Sequence, residues 1–99
     1  MTSRTFDELI YQDKTEKRES ESVFTFASRK NGRENWADHG YTFKGACIGT
    51  AIRMAAMRVS DRDSLDEFQE KYNDVCEEWR KQGDMAEETI KAMLDFRII

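Results

Sequence analysis

The chain has no proline, a single histidine, two cysteines and five glycines among its 99 residues. Without proline, helices can run uninterrupted. One histidine and two distant cysteines cannot supply the four closely paired nitrogen and sulfur ligands of a structural zinc site. The longest apolar segment, residues 42–59, is too short for a membrane span and contains Arg53. We therefore expect no metal, no cofactor and no membrane insertion.

The chain also begins without the apolar core of a signal peptide, since its first residues are Met-Thr-Ser-Arg-Thr-Phe-Asp-Glu. This pattern favours a cytoplasmic location. Cys47 and Cys76 fall on the apolar faces of two different predicted helices. A disulfide between them is compatible with that arrangement, but in a reducing compartment two buried free thiols are expected.

Length and charge describe one small acidic domain. Ninety-nine residues suffice for a single domain over residues 1–99. The net charge of −4 is unevenly distributed, with +2 over residues 1–62 and −6 over residues 63–99. Such asymmetry indicates charged partners or self-association. The plainer interpretation is that acidic solvent-facing surfaces keep a small domain soluble.

Residues 42–59 predict a helix that is apolar on nearly every side, and such a helix has to be buried. Gly45 and Gly49 lie four residues apart on it, so that another backbone can approach closely. We expect this helix to be the central element of the fold. A homodimer seam along the glycine pair is the alternative to packing within one chain.

The first part of the chain predicts a helix, a charged connection and a hairpin. Thr5 and Glu8 form a capping-box pattern for a helix over residues 5–12. Residues 13–22 have no apolar member and predict a charged connection. Residues 23–28 alternate like a strand, and Asn31-Gly32 is typical of a type I′ turn that leads into a returning strand.

The last third predicts two antiparallel helices. Ser64 with Glu67 forms a second capping box, Gly83 is placed to end that helix, and Asp84 with Glu87 would cap the next one. The predicted fold class is α+β: one β-hairpin, with a third short strand as an option, packed on about four helices. Its central helix is buried and its C-terminal helices form an αα-hairpin.

No catalytic constellation emerges from the sequence. His39 follows Asp38 directly, and neighbouring strand residues point to opposite faces, so the carboxylate is badly placed to orient the imidazole. The run Gly-Tyr-Thr-Phe-Lys-Gly over residues 40–45 lacks the ending of a phosphate-binding loop. Asp61, Asp63 and Asp66 suggest a calcium-binding loop, but the glycine and the bidentate glutamate of the EF-hand pattern are missing. We expect a protein that is not an enzyme.

Two charged surfaces remain as candidate binding sites. The first is a row of carboxylates on the predicted third helix, suited to a protein with a basic surface: Asp66, Glu70, Asp74, Glu77 and Glu78. The second is the predicted hairpin tip, whose cations and indole could contact phosphates and bases of a nucleic acid: Arg29, Lys30, Arg33 and Trp36.

The function that these features favour is binding without catalysis. The leading hypothesis is a small inhibitor or modulator that acts by protein–protein interaction through the acidic helical face. In composition alone, the chain is similar to the small acidic accessory proteins carried by phages and mobile elements. The alternative is a nucleic-acid-binding accessory protein that uses the basic hairpin tip. A third hypothesis is a small-molecule sensor with its pocket between the hairpin and the buried helix.

Overall fold

The structure, a computed structural model, describes residues 17–99. Within this range, four helices and a two-stranded antiparallel hairpin confirm the predicted α+β class. The predicted helix over residues 5–12 and residues 13–16 of the charged connection lie outside the described residues. In chain order the elements are α1 (Val23–Asn35), β1 (Trp36–Ala37), β2 (Gly40–Tyr41), α2 (Phe43–Ala56), α3 (Leu65–Gln82) and α4 (Glu87–Asp95).

The segment predicted as a strand and a turn is helix α1, so the predicted place of the hairpin is wrong. Ser22 caps this helix by accepting a hydrogen bond from the Thr25 N–H at 3.3 Å. Asn31 lies inside the helix, fully buried, and its side-chain Nδ2 donates to the Gly45 carbonyl at 3.0 Å. No residue other than glycine has a positive φ among those described, so no type I′ turn forms at Asn31.

The hairpin lies further along the chain, where it connects α1 to α2. Trp36 pairs with Tyr41 and Ala37 pairs with Gly40, so Asp38 and His39 form the turn between them. Gly40 has a φ of +114°, a conformation that residues with a Cβ adopt rarely. The hairpin is short, and the hydrogen bond from the Thr42 N–H to the Asn35 carbonyl at 2.9 Å ties its ends together.

Helix α2 is the central element, as predicted. It begins after Thr42, whose Oγ1 accepts from the Gly45 N–H at 3.1 Å, and it packs against α1, α3 and α4. Its buried side carries Ile48, Ala51, Ile52 and Ala55. The expectation that almost every side would be buried is wrong, since a whole face of α2 remains exposed to solvent.

The C-terminal helices form the predicted αα-hairpin. Gly83 ends α3 with a φ of +77°, and Ser64 caps its beginning by accepting from the Glu67 N–H at 3.1 Å. The predicted cap at Asp84 is wrong, because α4 begins after Ala86 without a side-chain cap. The Tyr72 hydroxyl donates to the Met93 carbonyl at 2.5 Å and joins the two helices.

The residues after α4 complete the core and contact both α1 and α3. Phe96 and Ile98 are buried, and the Ile98 N–H donates to the Gln69 side chain at 2.7 Å. Lys30 on α1 donates to the Arg97 carbonyl, and its ammonium lies 5.6 Å from the centroid of the Phe96 ring. The C-terminal segment thus connects the first helix to the third.

Candidate interaction surfaces

The predicted acidic residues lie on the outer side of α3, opposite its buried residues. Phe68, Tyr72 and Val75 face the core, which leaves a line of carboxylates along the other side. Three of these carboxylates follow one another at one-turn spacing and are exposed, and they are called the acidic row below: Asp66, Glu70 and Asp74.

The other two predicted carboxylates already have partners within the chain. Arg58 contacts both oxygens of Glu78, one of them at 3.1 Å, and this hydrogen bonding lowers the pKa of Glu78. Arg80 lies 2.9 Å from Glu77 and 2.8 Å from Glu87, which links α3 to α4. Glu77 and Glu78 are therefore partly neutralised, whereas the acidic row has only a 3.9 Å contact between Glu70 and Lys71 among the described ion pairs.

Glu67 binds the preceding loop in addition to taking part in the predicted helix cap. Its backbone completes the predicted Ser64 cap, but its carboxylate turns to the preceding loop. It accepts from the Asp61 N–H at 2.8 Å and from the Ser60 hydroxyl at 2.8 Å, with the Ser60 N–H at 3.1 Å. These bonds lower the pKa of Glu67. No local pattern indicates them, since the acceptor and its donors lie six and seven residues apart.

The predicted basic residues do not form a hairpin tip. Arg29 and Lys30 lie on α1, where Arg29 pairs with Glu21 at 2.7 Å and lies 5.5 Å from the centroid of the Phe26 ring. Lys30 is bound to the C-terminal segment, as described above. Arg33 lies on the same side of the helix as Arg29, close to Glu34 at 3.7 Å, and its side chain is mostly buried. At least two of the cations thus help to hold the fold together.

Trp36 is the exception among these residues, because its side chain is 58% exposed. Its ring contacts that of Tyr41 across the hairpin in an edge-to-face arrangement, with the centroids 4.9 Å apart. The exposed hairpin and the beginning of α2 therefore present three aromatic rings on the surface: Trp36, Tyr41 and Phe43.

An open groove, called the α2–α3 groove below, lies between the first half of α2 and the end of α3. Its volume is about 400 Å³. Cys47, Trp79 and Met85 are half-buried in its lining. None of the residues that line it is acidic: Phe43, Ala46, Cys47, Thr50, Trp79, Gln82 and Met85.

The groups that could support catalysis are dispersed among the described residues. His39 is exposed in the hairpin turn. Cys47 and Cys76 are free thiols, and burial raises the pKa of both, to about 11 for Cys76, which keeps them protonated at neutral pH. Within residues 17–99, no three His, Cys, Asp or Glu side chains are grouped to hold a metal ion. No helix in this range has both the length and the apolarity that crossing a bilayer requires.

Comparison with known proteins finds no matching family, no matching curated protein and no matching solved structure. Among the described surfaces, the acidic row on α3 carries charge of one sign, and the exposed face of α2 with its groove has no acidic residue. The ion pairs around α1, in contrast, belong to the internal structure of the domain.

Proposed function

We propose that this protein binds another protein without catalysing a reaction, and that it acts as an inhibitor or modulator of a partner with a basic surface. The observation that carries the proposal is the acidic row. Asp66, Glu70 and Asp74 project from one side of α3 over about 12 Å of helix. All three are exposed, and their partners among the described residues are distant: Lys71 lies 3.9 Å from Glu70, and Arg58 interacts with Asp74 only through space.

The charge of the surrounding chain supports the same role. Residues 63–99 carry a net charge of −6 and contain five basic residues. Of these, Lys71 lies beside Glu70 of the acidic row, and Arg80 forms the ion pair that links α3 to α4. A field of one sign steers a partner of the opposite sign and speeds encounter most at low ionic strength. A basic protein surface is therefore the complement that this side of the molecule fits.

The test compares two triple charge reversals with the same change in net charge. The first replaces the acidic row: Asp66→Lys, Glu70→Lys and Asp74→Lys. The control replaces three exposed carboxylates elsewhere: Asp84→Lys, Glu88→Lys and Asp95→Lys. Tagged wild type and both variants are used for affinity purification from host extract, with and without nuclease. Binding of the captured protein is then measured with purified components at low and high salt.

We expect the reversed acidic row to weaken binding at least about tenfold at low salt, while the control retains most of the affinity. Equal losses in both variants would mean that net charge alone matters. If neither variant changes the affinity, the row is an ordinary solvated face and the proposal is wrong. Capture that disappears with nuclease would instead support the nucleic-acid alternative.

A further inference from the structure

We propose that the exposed face of α2, together with the α2–α3 groove, is a second binding site, and that its partner is an amphipathic helix with carboxylates beside its apolar residues. The proposal does not depend on the acidic row, since the two surfaces share no residue. The residues of this α2 outer face are Phe43, Ala46, Thr50, Arg53 and Met57.

These residues form one face because they recur at intervals of three and four along the helix and its first following residue. All are exposed, including the two large side chains at its ends: Phe43 is 73% exposed and Met57 is 85% exposed. In a chain of which 36% is charged, a helix face with one charged residue and two exposed apolar ends is unusual. Phe43 and Ala46 of this face also line the α2–α3 groove with Cys47, Trp79 and Met85, and a contiguous apolar surface of this kind marks interaction sites.

The groove supplies the depth that a flat helix face lacks. It lies beside Ala46 and Thr50, and its volume of about 400 Å³ accommodates one or two large apolar side chains. Half-buried Trp79 and Cys47 form its walls. An amphipathic helix that lies along α2 can therefore place anchoring side chains in the groove, as helices do when they bind to apolar grooves.

The positive charge of this face favours a partner helix that carries carboxylates. Residues 39–60 contain no aspartate or glutamate, and the α3 wall of the groove consists of Trp79 and Gln82. The charge of the face is that of Arg53, which is exposed and has no ion pair among the described residues. A carboxylate on the partner is the group that complements it.

A second copy of this chain fits the face less well. A symmetric pairing of two α2 helices centred on Thr50 would place the two Arg53 residues only about 9 Å apart along the axis, since the helix rises 1.5 Å per residue. No carboxylate of α2 would lie between them. The predicted seam along the glycine pair is not available either, because Gly45 is buried against Asn35 of α1.

The probe that tests the proposal is a pair of fluorescein-labelled helical peptides of about 18 residues with leucines at i, i+3, i+4 and i+7. Glutamates flank the leucines in one peptide and lysines flank them in the other. Fluorescence anisotropy measures their binding to the whole protein, and backbone amide chemical shifts locate it. We expect the glutamate peptide to bind at least about tenfold more tightly and to shift Ala46, Thr50 and Arg53.

Two variants connect the result to this face. Arg53→Glu should remove or invert the preference for the glutamate peptide, and Met57→Gln, which adds no charge, should weaken the binding of both peptides. Ile99→Gln is the matched control, because Ile99 is also an exposed apolar residue but belongs neither to the α2 outer face nor to the lining of the groove. Both substituted positions on α2 are exposed, so circular dichroism should show an unchanged fold.

Equal binding of the two peptides, binding that shifts other residues, or no binding up to about 1 mM would each overturn the proposal. Sedimentation that shows a dimer lost in Met57→Gln would assign the face to a second copy instead. The acidic-row triple variant separates this site from the proposed function. It should retain the peptide preference, so each proposal can fail without the other.

Discussion

At the scale of single residues, a buried polar contact decides how the first half of the chain folds. Asn31 donates to the Gly45 carbonyl at 3.0 Å and accepts from the Asn35 side chain at 2.9 Å. Gly45 brings the two helices close together, since a Cβ built on it would lie 2.7 Å from the Cβ of Asn35. Buried amides are stable only when paired, and here the pairing specifies the α1–α2 contact.

We predict that Gly45→Ala destabilises the protein although alanine favours helix. The added methyl group would also lie 3.1 Å from the Asn35 backbone carbonyl, so the helices must separate. Such overpacking costs about 1–3 kcal/mol, which exceeds the gain in helix propensity of about 1 kcal/mol. Urea unfolding measures the free energy of unfolding.

Gly49→Ala is the matched control, on the same helix one turn later. Its added Cβ would meet only the Asn31 side-chain nitrogen, at 3.5 Å, which is an ordinary contact. This variant should be as stable as the wild type or more stable. If both alanine variants gain stability, the close approach at Gly45 does not limit the packing of α1 on α2.

At the scale of elements, α3 depends on a cap that extends beyond its first turn. Ser64 binds the backbone of Glu67, while the Glu67 carboxylate binds the loop at Ser60 and Asp61. The loop and the helix therefore form one unit. The carboxylate is stabilised in its charged form, and this is why the pKa of Glu67 is lowered.

We predict that Glu67→Gln lowers the melting temperature by several degrees near neutral pH. Because the pKa of Glu67 is lower in the folded state, its contribution is fully present above the ordinary pKa of about 4.3 and is lost as the pH falls through the folded-state pKa. The difference between wild type and variant should therefore shrink in acid. Thermal unfolding followed by circular dichroism from pH 7 to pH 3 measures it.

Glu70→Gln provides the comparison, since Glu70 is exposed on the same helix and binds no backbone group among those described. Its melting temperature should stay close to that of the wild type throughout the pH range. If the melting temperature of Glu67→Gln lies below that of the wild type by the same amount from pH 7 to pH 3, the charge of the carboxylate is not what stabilises the loop.

At the scale of the whole molecule, the domain is organised around α2. Its core residues, such as Ala51 and Ile52, are fully buried, and three helices pack around it. A domain of this size has a stability of about 5–15 kcal/mol. One buried unpaired charge in the centre therefore removes a large fraction of the total stability.

We predict that Ala51→Asp strongly destabilises the protein and lowers its melting temperature by more than about 10 °C, because an unpaired buried carboxylate costs about 3–5 kcal/mol. Ala46→Asp, on the exposed side of the same helix, should fold like the wild type. Near-ultraviolet circular dichroism and thermal unfolding distinguish the two. Folding of Ala51→Asp with a melting temperature within a few degrees of the wild type would contradict the assignment of α2 as the core.

The sequence by itself determined the elements whose signals are local. Ser64 at the start of α3 and Gly83 at its end are signals within a single helix, and the structure has both where the pattern predicts. The central place of α2 also follows from its composition, since an apolar segment in a highly charged chain packs against the other elements, although one face of α2 stays exposed.

Tertiary structure alone decided the identity of α1 and the state of the charged surfaces. Residues 23–28 have the composition of a strand, yet they are helical because Val23, Phe26 and Ala27 join the core and Asn31 bonds to α2. Likewise, Glu78 pairs with Arg58, twenty residues away. Contacts over such distances depend on how the helices pack, and local patterns carry no information about them.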